Sequence, residues 1–171
     1  MKINEKINTK KAFTIVETLM TLLAITIMIA GPLTFMYRSY MYSEFVISKS
    51  ISMGLAQESL ELATSIRNKD LNNFKTMASS CTNGCMLDWD GISDTPIYTA
   101  CSGDNCKLYK TNSGTELYRA SGDEETGQYR YLKFTSNGTG GYLAESVAWS
   151  HVDKIKVEAK LNKMFFEIQV K

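Results

Sequence analysis

The side chains able to do chemistry in this chain are few and unevenly placed. Glu17 is a lone carboxylate inside an apolar run, "FTIVETLM", where an ionisable group is costly and by default marks function. Cys81, Cys85, Cys101 and Cys106 fall within 26 residues. An even count in an exported domain reads as disulfides, with three pairings open. The C-x3-C and C-x4-C spacings are loose for tetrahedral zinc, and no histidine is close. Asp88, Asp90 and Asp94 in "DWDGISD" are candidate oxygen ligands for calcium. They lack the Asp-x-Asp-x-Asp-Gly order and the distal glutamate of an EF-hand loop, so a solvated acidic loop without a cofactor is expected. His151 is the only histidine; neither a triad nor a histidine-ligated metal has its other members nearby, and it is read as part of a turn, Ser150-His151-Val152-Asp153. The glycine-rich 138–141 stretch follows no strand-to-helix pattern and is read as a turn. With no nucleophile and base in partnership, an enzyme is not expected.

The elements that must carry these residues follow from the hydropathy pattern. The chain has 171 residues, enough for one domain and an anchor. Its 19 basic and 18 acidic side chains nearly cancel, which gives no ground for a nucleic-acid partner. Between Phe13 and Met36 lie 24 residues with Glu17 as the one charge, long enough to span a bilayer with some tilt. Lys2, Lys6, Lys10 and Lys11 before it predict a cytoplasmic N-terminus, with everything after Tyr37 outside. A cleavable secretory signal is the rival reading. It is disfavoured by the length of the apolar run, by Met28 where a small residue is wanted before Ala30, and by Glu17 itself.

Gly31-Pro32 is the one helix-breaking signal between residue 13 and about 68, and a kink is expected there. Beyond it, Val46, Met53, Ala56, Leu60 and Ala63 form one stripe at helical spacing, and Ile47, Ile51, Leu55, Leu62 and Ile66 an adjoining one. A continuous helix over 13–68 would have 56 residues and be about 84 Å long. The expected organisation is a leader (1–12), a transmembrane helix (13–36), an outer amphipathic half-helix (37–73), a loop-rich cysteine region (74–128) and an antiparallel sheet (129–171). Within the loop-rich region, "KLYKTNSGTELYR" reads as a hairpin. The sheet is read as about four strands, with Asn162-Lys163 separating the last two, Phe166, Ile168 and Val170 alternating with polar residues in the final one, and one apolar face covered by the 43–68 helix. That is an α+β layer arrangement.

At this point the residues resemble a family. A short basic leader, a small residue and then "FTIVETL" opening an apolar helix are similar to the class III signal of type IV pilins and type II secretion pseudopilins. The resemblance implies cleavage between Ala12 and Phe13 by a prepilin peptidase and N-methylation of the new Phe13 amine. Glu17 then becomes the fifth mature residue, where the family carries its assembly glutamate. Ala12 stands where the family usually has glycine, and Pro32 becomes the twentieth mature residue, two before the family's common helix-loosening proline. "AQESLELATSIRNKD" is further similar to the corresponding helix of minor pilins and tip pseudopilins. The implied partners are the peptidase, the inner-membrane assembly platform, other pilin subunits and, before assembly, membrane lipid. The alternative is a single-pass, membrane-anchored extracytoplasmic binding domain that forms no filament. An anchored hydrolase is a distant third.

Overall fold

The computed structural model describes residues 14–88, 97–111, 117–119, 122, 124–138 and 140–166. The chain divides into two compact units, Met1–Ser43 and Glu44–Lys171. Helix α1, Ile15–Lys69, has 55 residues and passes through Gly31-Pro32 without a break. Proline removes one backbone donor there, the one that would reach the Met28 carbonyl, and Thr34 keeps its own hydroxyl satisfied by donating to the carbonyls of Ala30 and Gly31. Arg67 and Lys69 lie in the last turn, where cations favour the negative end of the helix dipole.

Helix α1 ends at Lys69, one residue past the expected helix end near 68 and four short of the segment boundary at 73, because Asp70 is extended (φ −149°) and caps a new helix. Its carboxylate accepts from the amides of Asn72 at 2.8 Å and Asn73 at 3.1 Å, satisfying donors that a helix start leaves open. Helix α2, Leu71–Ser80, therefore occupies the start of the region read as loop. A disulfide joins Cys81 at the end of α2 to Cys85 at the start of strand β1, and a second joins Cys101 to Cys106 around a 3-10 turn at Gly103–Asn105. The cysteines are thus disulfide-bonded, each to its sequence neighbour.

Seven strands lie among the described residues: β1 Cys85–Asp88, β2 Ile97–Ala100, β3 Lys107–Thr111, β4 Leu117–Arg119, β5 Glu124–Ser136, β6 Tyr142–Val152 and β7 Ile155–Phe165. All pairs are antiparallel. β5 organises the sheet. β6 takes one of its edges from Gln128 to Ser136. β3, from Glu124 to Tyr129, and β1, at Leu132, share the other. The expected β3–β4 hairpin is present, with Lys110 opposite Tyr118. The region from residue 74 is therefore richer in regular structure than its composition suggests. Gly84 allows this: at φ +115°, a Cβ there would come within 2.9 Å of the Cys101 carbonyl oxygen.

Asn162-Lys163 does not separate two strands. It lies inside β7, where Asn162 pairs with Glu145 and Lys163 with Ala144. Continuous pairing with the long β6 outweighs two weak strand formers, and Lys163 extends its ammonium to Thr64 Oγ1 at 2.8 Å. The inward residue is consequently Phe165, buried, while Phe166 is 60% exposed. The expected alternation at Ile168 and Val170 lies outside the described residues. His151 likewise belongs to β6 rather than to a turn. The turn is Asp153-Lys154, both at positive φ (48° and 69°), the backbone of a two-residue hairpin in the right-handed-twist sense. The glycine-rich segment is a turn as expected: Gly141 donates its amide to Asn137 Oδ1 at 2.8 Å, and Gly138 (φ +74°) reverses the chain.

The register puts Leu132, Phe134, Ala144, Ser146, Ala148, Ser150, Val157, Ala159 and Phe165 on one sheet face. The outer part of α1 covers that face, completing the α+β layering, but with a narrower and more polar contact strip than expected. Ser48, Ser52, Leu55, Ala56, Ser59, Leu60, Ala63 and Ile66 are buried. Val46, Ile47 and Met53, assigned to the apolar stripes, are about half exposed. Small residues on both sides, such as Ala56 and Ala63 against Ala144 and Ala148, allow close approach. Serine hydroxyls then pair across the gap, Ser48 with Ser150 and Ser59 with Ser146. Further along, Phe74 of α2 packs edge-on to Phe134 and Tyr142, with ring centroids 5.6 and 5.9 Å away.

Arg130 is the exception in this core. It is 1% exposed. Nη2 donates to the Leu87 carbonyl at 3.0 Å, and Nη1 lies 2.9 Å from Glu58 Oε2, near enough to pair but out of line for a hydrogen bond. Removing the partner of a buried cation is costly, reduced here because Glu58 is half exposed. Glu58→Ala should lower unfolding free energy by about 1–3 kcal/mol in urea titration. Lys154→Gly should raise it by roughly 0.5–1 kcal/mol, since glycine relieves the left-handed conformation that lysine disfavours. Replacing Cys101 and Cys106 by serine should cost roughly 2 kcal/mol in the same assay, the chain-entropy value for so short a loop.

Candidate functional site

The candidate site is the first turn of α1 and the apolar segment that follows. Thr14 precedes the helix as its cap: the Glu17 amide donates to the Thr14 carbonyl at 3.0 Å and to Thr14 Oγ1 at 3.4 Å. Glu17 lies in the first turn, where a carboxylate is mildly favoured by the helix dipole. Its side chain is exposed and has no ion-pair partner among the described residues. Ala12 and Phe13 lie outside the described residues, as do Lys2, Lys6, Lys10 and Lys11.

After Glu17 the helix is apolar on every side. Ile15, Leu19, Met20, Leu22, Leu23, Ile27, Met28, Leu33 and Met36 are each more than half exposed. An 18-residue window of α1 reaches a mean hydropathy of 2.0, and none of it is buried. Monomeric soluble proteins rarely expose continuous apolar surface of this kind. The threonines do not spoil the segment, because each hydroxyl is satisfied within the helix. Thr18 donates to Ile15 O and Thr26 to Leu23 O, both at 2.8 Å, and Thr21 donates to Glu17 O. Such internal pairing is what hydrocarbon demands of polar groups. One helix near the N-terminus is thus long and apolar enough to cross a membrane.

The segment ends in a band that hydropathy alone passes over. Tyr37, Tyr40 and Tyr42 are each more than 60% exposed and flank Arg38. Amphipathic rings beside a cation suit the level of lipid headgroups. Three tyrosines in six residues directly after the apolar run were the available signal. Gly31, by contrast, is not required by packing within the chain: a Cβ there would meet nothing within 4 Å.

The other candidates fare differently. The disulfides account for all four cysteines. Asp88 closes β1, while Asp90 and Asp94 lie outside the described residues. His151 borders an open recess of about 520 Å³ with Glu44, Ile47, Ser48 and Asp153, its ring edge-on to Tyr129 at 5.9 Å. Among the described residues, no group of three or more His, Cys, Asp or Glu is placed to hold a metal ion. No protein-family model, curated protein or solved structure matches this chain.

If the apolar segment of α1 is a lipid-spanning element, a charge at its centre should oppose insertion. Ile25→Arg should cost about 2.5–3.5 kcal/mol on an insertion scale. The expected outcome is a marked shift of the full chain from the carbonate-resistant membrane fraction to the soluble or degraded pool. Lys49→Arg, in the same helix but outside the segment, should partition like the parent.

Proposed function

We propose that the chain is a minor pilin or pseudopilin: a structural subunit held in the inner membrane, trimmed by a prepilin peptidase between Ala12 and Phe13, methylated on Phe13, and drawn by the assembly platform into a helical filament of a type IV pilus or type II secretion system. The observation that carries this reading is Glu17. It is a carboxylate without an ion-pair partner among the described residues, placed four residues after a small–aromatic dipeptide, at the head of a membrane-length helical segment with none of its apolar surface covered. Trimming would create a cationic amine at Phe13. In a bundle of such helices, the amine of one subunit and Glu17 of its neighbour would meet in an apolar interior. An unpaired ion there costs several kcal/mol, and pairing across subunits removes most of that penalty. The apolar surface supplies adhesion, whereas the ion pair selects one axial register. Repeating a head-to-tail contact that does not close yields a filament.

The exposed strip Val46, Ile47 and Met53 supports the same reading. It lies on the outer part of α1, beside rather than within the seam with the sheet. A bundle of neighbouring helices would give it cover. The chain itself performs no catalysis in this scheme; Ala12–Phe13 is another enzyme's substrate. Gly31 and Pro32 would act as the place where α1 yields during packing.

Two measurements test the proposal together. N-terminal sequencing of the membrane-extracted protein should begin at methylated Phe13. Glu17→Ala should leave trimming and insertion intact while cutting incorporation into sheared filaments by tenfold or more, about the effect of losing 1.4 kcal/mol or more of register energy. An intact Met1 together with normal membrane residence would instead favour an anchored binding domain that forms no filament.

A further inference from the structure

The sheet face turned away from α1 carries a recess that the assembly reading does not use. Tyr129, Tyr131 and Trp149 alternate with the α1-facing residues of β5 and β6, so the register places them together on this face. Trp149 is 2% exposed. Its ring is stacked on Tyr129 at 5.1 Å and approached by Lys156 Nζ at 4.5 Å. Yet its indole Nε1–H has no hydrogen-bond partner among the described residues. Leaving such a buried donor unpaired costs about 1–3 kcal/mol. Trp149 borders a cavity of about 280 Å³ under the Cys101–Cys106 loop, shared with Tyr131, Lys133, Lys156, Ser102 and Asp104.

The chemistry of this lining is specific. Lys133, Lys156, the Trp149 N–H and the Ser102 hydroxyl can donate; Asp104 can only accept. Lys156 is partly committed, 2.6 Å from Glu158, whereas Lys133 has no ion-pair partner among the described residues. Glu145, opposite Lys133 in register, is taken by Lys160 at 2.7 Å. With Lys156 shared with Glu158, Lys133 is the cation that the lining leaves for an anion, and Lys156 adds further donors beside it. A simple anion, however, would be repelled by Asp104, which demands a ligand that also carries donors. A ring with several hydroxyls and one carboxylate meets both conditions, and its C–H faces suit the Tyr131 side chain. The volume is slightly below the usual range for ligand clefts, about 300–1,000 Å³, and therefore suits a single sugar unit. The loop disulfide fixes one wall of the recess, and β5 and β6 fix its floor.

We propose that this recess binds an acidic monosaccharide unit of the uronic-acid class. The carboxylate is held by Lys133, Lys156 and the Trp149 N–H, and Asp104 accepts from the ring hydroxyls. The site would give the outer unit a means of recognising acidic polysaccharide.

Trp149 is its own reporter once Trp89, the other of two tryptophans, is replaced by phenylalanine. The full chain in detergent micelles would be titrated with D-glucuronate, D-glucose and acetate while indole fluorescence is followed. The expected result is a saturable change with glucuronate and responses at least about tenfold weaker with glucose, which lacks the charge, and acetate, which lacks the hydroxyls. Lys133→Gln and Asp104→Asn, both at exposed positions, should each weaken glucuronate binding by about tenfold with unchanged melting temperature. Three results would each overturn the site: no saturable response to glucuronate, acetate matching it, or both variants binding like the parent.

Discussion

A helix that is apolar on all sides has no stable home in water, and the rest of this molecule is arranged around that constraint. From Ile15 to Met36 the chain offers side chains that only lipid or other helices can cover, and its threonines are already satisfied by their own backbone. Glu17 is the one group that such surroundings do not accommodate. A carboxylate near an interface can stay hydrated, but in a packed helical bundle it needs a cation. The proposed assembly role follows from this asymmetry: apolar contact is strong but indifferent to register, whereas a single buried charge pair is particular about position.

The second unit solves a different problem. Its sheet has one face that must be covered, and the same α1 supplies the cover through serine and alanine rather than through bulk. Small side chains bring helix and sheet close enough for hydroxyls to meet, and the Arg130–Glu58 ion pair and the Lys163 ammonium on Thr64 then tie the layers. The bulkier Val46, Ile47 and Met53 are left at the surface. The opposite sheet face is organised around Trp149, and the short Cys101–Cys106 loop beside it builds a recess on that face. Anchoring and recognition would thus draw on separate parts of one chain.

The long helix was legible because its signals are local and additive: apolar length, absence of charge, and cations at the last turn. The disulfide character of the cysteines was legible from their number and the expected outer location. Where reading failed, a tertiary contact outweighed a local tendency. Asn162-Lys163 looked like a stop, but an 11-residue β6 alongside kept the strand going to Phe165. His151 looked like turn material, yet the reversal came two residues later at Asp153-Lys154, whose positive φ no glycine advertised. Asp70 was passed over because a single capping carboxylate carries no periodicity, and α2 was hidden with it. Serines at positions 48, 52 and 59 counted as polar when the contact strip was sought, although all three are interior residues, Ser48 and Ser59 through partners on the sheet.

Taken alone, the amino-acid order determined that a membrane-length helix opens the chain, that one carboxylate sits at its head, and that strands follow, since each of these depends on neighbours a few residues apart. Only the folded chain decided which half of the amphipathic surface is buried, which cysteine joins which, and that Trp149, Lys133 and Asp104 share a recess. Those outcomes turn on contacts between residues tens of positions apart, where close packing and hydrogen-bond satisfaction choose among faces that hydropathy leaves equivalent.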